Sequence, residues 1–192
     1  MAVQPIRLFG DPVLRQRAVE VDDFDREVRQ LVTDLTDTML AAPGAGLAAP
    51  QIGVGLRIFV YGMENDDDVP ARGVIVNPTL VTSKIPGSEP DPDEESEGCL
   101  SVPGEAFPLK RADWVRVSGF DGDGGPVEFE ATGWFARCMQ HETDHLDGVL
   151  FIDKLDNAAR KAAMKEIRES EWFGLEQPTV RVSPHATNGL GL

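Results

Sequence analysis

ATGWFARCMQHETDHLDG, residues 131–148, has the spacing of a helix. Thr132 offers the hydroxyl of an N-cap, and Gly148 suits a C′ position that takes positive φ. Phe135, Met139, Glu142 and Leu146 recur at three- and four-residue steps on one stripe, with Cys138, His141 and His145 beside it. His141 and His145 stand one turn apart, so both imidazoles can address one metal ion. Glu142 follows the first closely enough to hold a proton for a water that the metal activates. The apolar residues on that face turn it inward and put the histidines in a pocket. The plain alternative is a helix whose histidines only finish a polar surface. Against it, the chain has three histidines and two of them fall at ligand spacing around a glutamate.

Outward from this stretch, 192 residues suit one domain with a core large enough to fold unaided. Helical and strand-like patterns mix with frequent glycine and proline, which predicts an α+β domain. A formal net charge of −15 argues against general nucleic-acid binding, since a phosphate backbone would be repelled. The first residues, MAVQPIRLFG, lack the apolar run of a signal peptide, and no stretch approaches membrane-spanning length. With only Cys99 and Cys138, a disulfide scaffold is not expected and a reducing cytoplasm fits.

Taken in order, Asp11-Pro12 reads as a cap and first-turn proline that start a short helix to about Ala18. A longer helix spans Asp23 to Ala42, with Phe24, Val28, Leu31, Leu35 and Met39 as its buried stripe. PGAGLAAPQIG, Pro43–Gly53, carries small residues at a density that lets backbone run close to a ligand or a strand. A phosphate loop does not fit it, because no Lys-Ser/Thr follows. Gln51 is its one strongly hydrogen-bonding side chain. Leu56–Tyr61 and Gly73–Val81 read as strands around the acidic loop Glu64–Asp68, and Ser88–Glu97 reads as a second acidic, solvated run. Trp114–Phe120 and Val127–Ala131 read as strands joined by a DGDGG turn. Asp156–Ser170 is a last helix, made basic by Arg160, Lys161, Lys165 and Arg168. The domain is taken as residues 1–171, followed by a loosely ordered tail, 172–192.

Two histidines leave a catalytic site short of a third protein ligand. A histidine ten residues after the first would supply it in one class of metalloprotease, but that place holds Phe151. A glutamate on a later helix would supply it in another, and Glu166 or Glu169 stands ready. A cysteine is the third source. Cys138 lies seven residues, about 10 Å along a helix axis, from His145. That is too far for both to reach one ion at roughly 2.0–2.3 Å. If a thiolate binds, Cys99 is the better candidate, and Cys138 is a packed residue of the pocket wall.

GAGLAAPQIG, EGCLS (residues 97–101) and QHETDHLDG together, in this order, resemble the three signature motifs of peptide deformylase, in register over roughly residues 5–170. The resemblance implies an α+β fold whose motif-bearing helix packs between antiparallel sheets. It implies removal of the N-formyl group from the initiator methionine of nascent bacterial chains, releasing formate. It further implies Cys99, His141 and His145 as metal ligands around one divalent ion, typically Fe(II), with zinc, nickel or cobalt able to take the same ligands. Glu142 becomes general base and then acid, while the Gln51 amide and the Leu100 N–H become donors to the oxyanion. Glu97 pairs with Arg111 to fix the EGCLS segment. Gly44, Ala45, Gly46 and Leu47 present a strand edge to substrate backbone. Glu97, Gly98, Trp134, Ala136, Arg137 and Cys138 stand at positions that line the methionine pocket or flank it. The partners implied are N-formylmethionyl nascent peptides, and the ribosome near its exit tunnel through the helix Ala158–Arg168.

Overall fold

In the computed structural model, which describes residues 3–42, 44–64, 70–174 and 179–180, a five-stranded antiparallel sheet carries a helix on each face. The strands are β1 (Ile6–Arg7), β2 (Gly46–Ala48), β3 (Ile58–Glu64), β4 (Pro70–Thr82), β5 (Ser96–Cys99), β6 (Val102–Pro108), β7 (Trp114–Phe120), β8 (Pro126–Thr132) and β9 (Thr179–Val180). The helices are α1 (Arg26–Ala41), α2 (Gly133–Leu146) and α3 (Asn157–Glu169). The main sheet runs β2-β3-β4-β7-β8, while β5-β6 and β1-β9 form separate two-stranded ladders. The α+β expectation is borne out.

Strand side chains alternate between faces, and β3 uses both. Ile58 and Val60 enter a core with Val28, Leu35 and Met39 of α1. Phe59 joins Ile75, Val115 and Val117 against Phe135, Met139 and Leu146 of α2. A third core lies beyond α2, where Phe107, Leu109, Phe151 and Ile152 meet Ala163 and Ile167 of α3. Thus α2 is sandwiched between the main sheet and the β5-β6 hairpin, and ten of its fourteen residues are buried.

Both ends of α2 are built from tertiary contacts. Thr132 is the N-cap in extended backbone, and Gly148 takes φ 73° just past the end. A Cβ on Gly148 would stand 2.8 Å from the Arg15 carbonyl carbon, so glycine is required there twice over. The guanidinium of Arg57 donates to the Leu146 carbonyl at 3.2 Å and to Asp147 at 2.8 Å, a cation at the helix C-terminus. Midway, the Gln140 amide exchanges hydrogen bonds with both backbone groups of Ala112 at 3.2 and 2.9 Å, fixing the roll of the helix.

The first expected helix is shorter than the pattern implies: only Pro12–Arg15 form a 3-10 turn, capped by Asp11. Ala18 N–H instead donates to Leu146 O and Val19 N–H to Gly55 O, so the chain extends to meet its neighbours. The second helix begins at Arg26 behind an Asp25 cap, and the last starts at Asn157 with Asp156 accepting from two N–H groups. Of the tail, the Trp172 indole donates to Pro103 O at 3.1 Å, and Thr179–Val180 pair with Ile6–Arg7. Residues 175–178 and 181–192 lie outside the described residues, as do 65–69, which take in most of the acidic loop Glu64–Asp68. The second acidic run, Ser88–Glu97, passes into β5 at Ser96, and its Glu95 carboxylate accepts from Lys110 at 2.6 and 2.8 Å. Among the described residues no helix is long and apolar enough to cross a membrane.

Candidate active site

Cys99 ends β5 where the pairing with β6 slips by a bulge between Gly98 and Cys99. A bulge re-aims a side chain, and here the Cys99 sulfur faces α2. It stands 3.3 Å from His145 Nε2, which lies 3.2 Å from His141 Nε2. One donor atom from each of these three buried residues lies within 4.8 Å of the other two. Ligand atoms about 2.0–2.3 Å from a tetrahedral metal are themselves about 3.3–3.8 Å apart. The donor set therefore fits a single cation, with a soft thiolate and two imidazoles. Glu166 and Glu169 sit exposed on α3, Glu166 beside Glu105, outside the cluster.

Behind the ligands is Glu97, a carboxylate 3% exposed. Its Oε1 accepts from His141 Nδ1 at 2.7 Å and from Arg111 Nη2 at 2.6 Å. Its Oε2 accepts from Arg111 Nε at 3.0 Å and from Arg137 Nη1 at 2.9 Å. Burial alone would raise its pKa, but the bonds from His141 and Arg111 hold it well below the usual carboxylate range. The bond to Nδ1 leaves His141 Nε2 to face the ion, the usual way a carboxylate orients a metal-binding imidazole. Glu97 thus touches the cavity but spends its carboxylate on positioning. Arg111 also bonds Asp144 at 2.6 Å. Arg111→Ala therefore removes the two-point fork from the buried Glu97, leaving it His141 and Arg137, and leaves Asp144 with Lys154 as its ion-pair partner at 3.1 Å. We expect a loss of about 3–5 kcal/mol, a drop of roughly 6–20 °C in the melting midpoint for a chain of this size. Thermal unfolding by circular dichroism checks this, and an unchanged midpoint contradicts it.

Glu142 is 3% exposed, and burial pushes its carboxyl up to about 7, with His141 pulling the other way. Its Oε2 is buried without a hydrogen-bond partner among the described residues. The other oxygen rests on Gly46, where a Cβ would come within 2.5 Å of it. Gln51 is oriented by its own turn: Oε1 accepts from Ala48 N–H at 2.8 Å, which fixes the amide. Nε2 then points to Ser101 Oγ at 3.3 Å and toward the Cys99 sulfur at 3.8 Å.

A cavity of about 260 Å³ opens over these groups, lined by Gly44, Ala45, Gly46, Gln51, Met63, Glu97, Gly98, Cys99, Leu100, Trp134, Arg137, Cys138, His141 and Glu142. Its size suits a small terminal group rather than a long ligand. Leu47 packs its side chain into the α1 core, because the residue after Gly46 faces the opposite side of β2. Only its backbone lies on that edge strand. Ala136 likewise is fully buried against the sheet. Cys138 lines the wall, its thiol donating to Ala45 O at 3.5 Å. Burial, with Glu142 and Glu97 adding to it, raises its pKa well above the usual thiol value. Met63 escaped the sequence reading, since nothing in a strand pattern marks which residue meets a distant helix.

The polypeptide deformylase family model matches residues 3–161. A peptide deformylase of Acidothermus cellulolyticus is 54% identical over 192 residues, covering 100% of both chains. This chain belongs to the polypeptide deformylase family. A second relative, from Parafrankia sp., is also 54% identical and covers 100% of both chains. Among solved structures, the peptide deformylase of Legionella pneumophila aligns with a TM-score of 0.75 at 40% identity, over 88% of this chain and 95% of that one. That of Ehrlichia chaffeensis, in complex with actinonin, aligns with a TM-score of 0.77 at 35% identity, over 89% and 99%. Members of this family are metal-dependent hydrolases that remove the N-formyl group from nascent peptides, and the chain is an enzyme of that kind.

Proposed function

We propose that the reaction runs in the cavity between β2, the EGCLS segment and α2, on the formyl group of an N-formylmethionyl peptide. One observation carries the reading: Glu142, Gln51, Cys99 and His141 line a single small cavity, with His145 Nε2 3.3 Å from the Cys99 sulfur. Cys99, His141 and His145 would hold the ion, with iron(II) as the native metal. A divalent cation in that set supplies Lewis acidity to a water and to the formyl oxygen.

The remaining work falls to side chains. Glu142 takes the proton of the attacking water and returns it to the departing amine, a base and then an acid. Burial raises its carboxyl pKa toward neutrality, which suits a group that must first take a proton and then return it. The Gln51 Nε2 and the Leu100 N–H donate to the oxygen as it gains charge, already oriented before substrate arrives. The peptide backbone lies along the outer edge of β2, which pairs only with β3 among the described strands. The methionine side chain enters between Trp134, Arg137 and Cys138.

Formate release from formyl-Met-Ala-Ser by anaerobically iron-loaded protein tests this reading. Turnover of that peptide and none of the N-acetyl analogue is expected; hydrolysis of internal peptide bonds instead would overturn it. We place the enzyme in the cytoplasm, with α3 facing the ribosome near the nascent chain. Arg160 of that helix pairs with Asp153 at 3.3 Å, while Lys165 lies 4.0 Å from Glu169. Charge reversal at Arg160, Lys161 and Lys165 is expected to abolish co-sedimentation with ribosomes at low salt. Sedimentation that ignores the reversal contradicts the docking.

A further inference from the structure

We infer that Arg137 has two tasks that its place in the pocket wall does not require: it braces Glu97 behind the metal ligand His141, and it holds Trp134 as the wall of the side-chain pocket. The second task rests on the reading of the cavity as a formylmethionine site.

A buried guanidinium beside an apolar cavity is costly unless its donors are spent. Arg137 is only 7% exposed. Its Nη1 donates to Glu97 Oε2 at 2.9 Å and to the Leu109 carbonyl at 2.8 Å, which uses both hydrogens on that nitrogen. Its guanidinium carbon stands 5.1 Å from the centre of the Trp134 ring, within cation–π range. A leucine or methionine would line the cavity at lower cost, so the cation answers some other need.

Charge balance is not that need. Arg111 alone meets Glu97 with a two-point fork. What Arg137 adds is symmetry around the carboxylate. His141 and Arg111 both draw on Oε1, and without Arg137 only Arg111 would draw on Oε2. Two donors on each oxygen saturate the carboxylate and stop it swinging toward or away from His141 Nδ1. An imidazole turned about that bond carries its Nε2 off the ligand position.

Helix spacing joins this brace to the substrate. Trp134, Arg137 and His141 stand at i, i+3 and i+7 on one stripe of α2. Trp134 is 51% exposed at the mouth, and its neighbour's guanidinium is the contact that sets the ring against the cavity. Pocket wall, brace and ligand therefore lie in one row.

The test compares Arg137→Met, Arg137→Lys and Trp134→Ala for cobalt(II) affinity, by competition with a chelator, and for the visible bands of the cobalt form. Arg137→Met is expected to weaken metal binding by about 10–100-fold, the usual cost of losing such a supporting bond, and to shift the bands. Arg137→Lys, which keeps a charge for Oε2, is expected to recover the affinity to within a few-fold. Trp134→Ala is expected to keep affinity and bands but raise KM for formyl-Met-Ala-Ser at near-constant kcat. Arg137→Lys shares that higher KM, because a lysine cannot stack as the planar group does. Should Arg137→Met not fold, Arg137→Gln replaces it with the same expectation.

Wild-type affinity and bands in the uncharged variant overturn the brace. An unchanged KM in Trp134→Ala overturns the wall. Metal affinity does not depend on turnover, and an unchanged KM is read only where turnover occurs, so either failure is separable from failure of the deformylase reading. No tight cobalt binding by the wild type would overturn both.

Discussion

Glu142→Gln keeps the wild-type metal content and lowers kcat/KM for a formylated methionyl peptide by about 10²–10⁴-fold, the range for losing a general acid–base. The amide matches the carboxylate in shape, so the contact with Gly46 and the packing of α2 survive. None of the three ligands is touched. What disappears is a group that can take a proton from water and return it to nitrogen. Metal analysis beside formate release measures the two halves separately. Near-normal turnover removes Glu142 from the role of base, and loss of metal would make it a ligand instead.

Gly46→Ala is expected to cost activity on the same scale while leaving the fold nearly as stable. A Cβ there would stand 2.5 Å from Glu142 Oε1 and 2.7 Å from its Cδ, closer than such atoms approach. The edge strand β2 is held to β3 by Gly46↔Tyr61 and Leu47↔Val60 pairing, so the backbone does not yield. The Glu142 side chain moves instead, and with it the proton acceptor. A displacement of about 1 Å is enough to cost some 10²-fold. Steady-state kinetics and a melting curve read the outcome: a variant with wild-type kcat shows that the carboxylate can shift without consequence.

The two variants differ in what they teach about reading the chain. Glu142 was legible from its place between two histidines four residues apart, because helix geometry alone brings them together. Gly46 was legible only as part of a run of small residues; which side chain it makes room for depends on a segment almost a hundred residues on. The strands β7 and β8 stood out through β-branched and aromatic residues around a glycine turn. The β5-β6 hairpin did not. VPGEAFP carries Pro103 and Pro108 and no alternating pattern that marks a strand, yet β6 pairs only with β5 among the described strands, and such an edge tolerates residues without an N–H. The bulge that aims Cys99 lies in that hairpin, so the third ligand came from motif resemblance and not from a strand pattern. The supports of the site were the least visible part. Glu97 meets Arg137 across forty residues and Arg57 meets Asp147 across ninety, and no local period encodes such pairs.

Convergence of Cys99, His141 and His145 on one ion underlies every step proposed here. X-ray absorption at the edge of the bound metal reads the ligand set directly. One sulfur and two imidazole nitrogens per metal are expected in the wild type, with the sulfur contribution absent in Cys99→Ser. A spectrum with no sulfur scatterer, or one that Cys99→Ser leaves unchanged, contradicts the account.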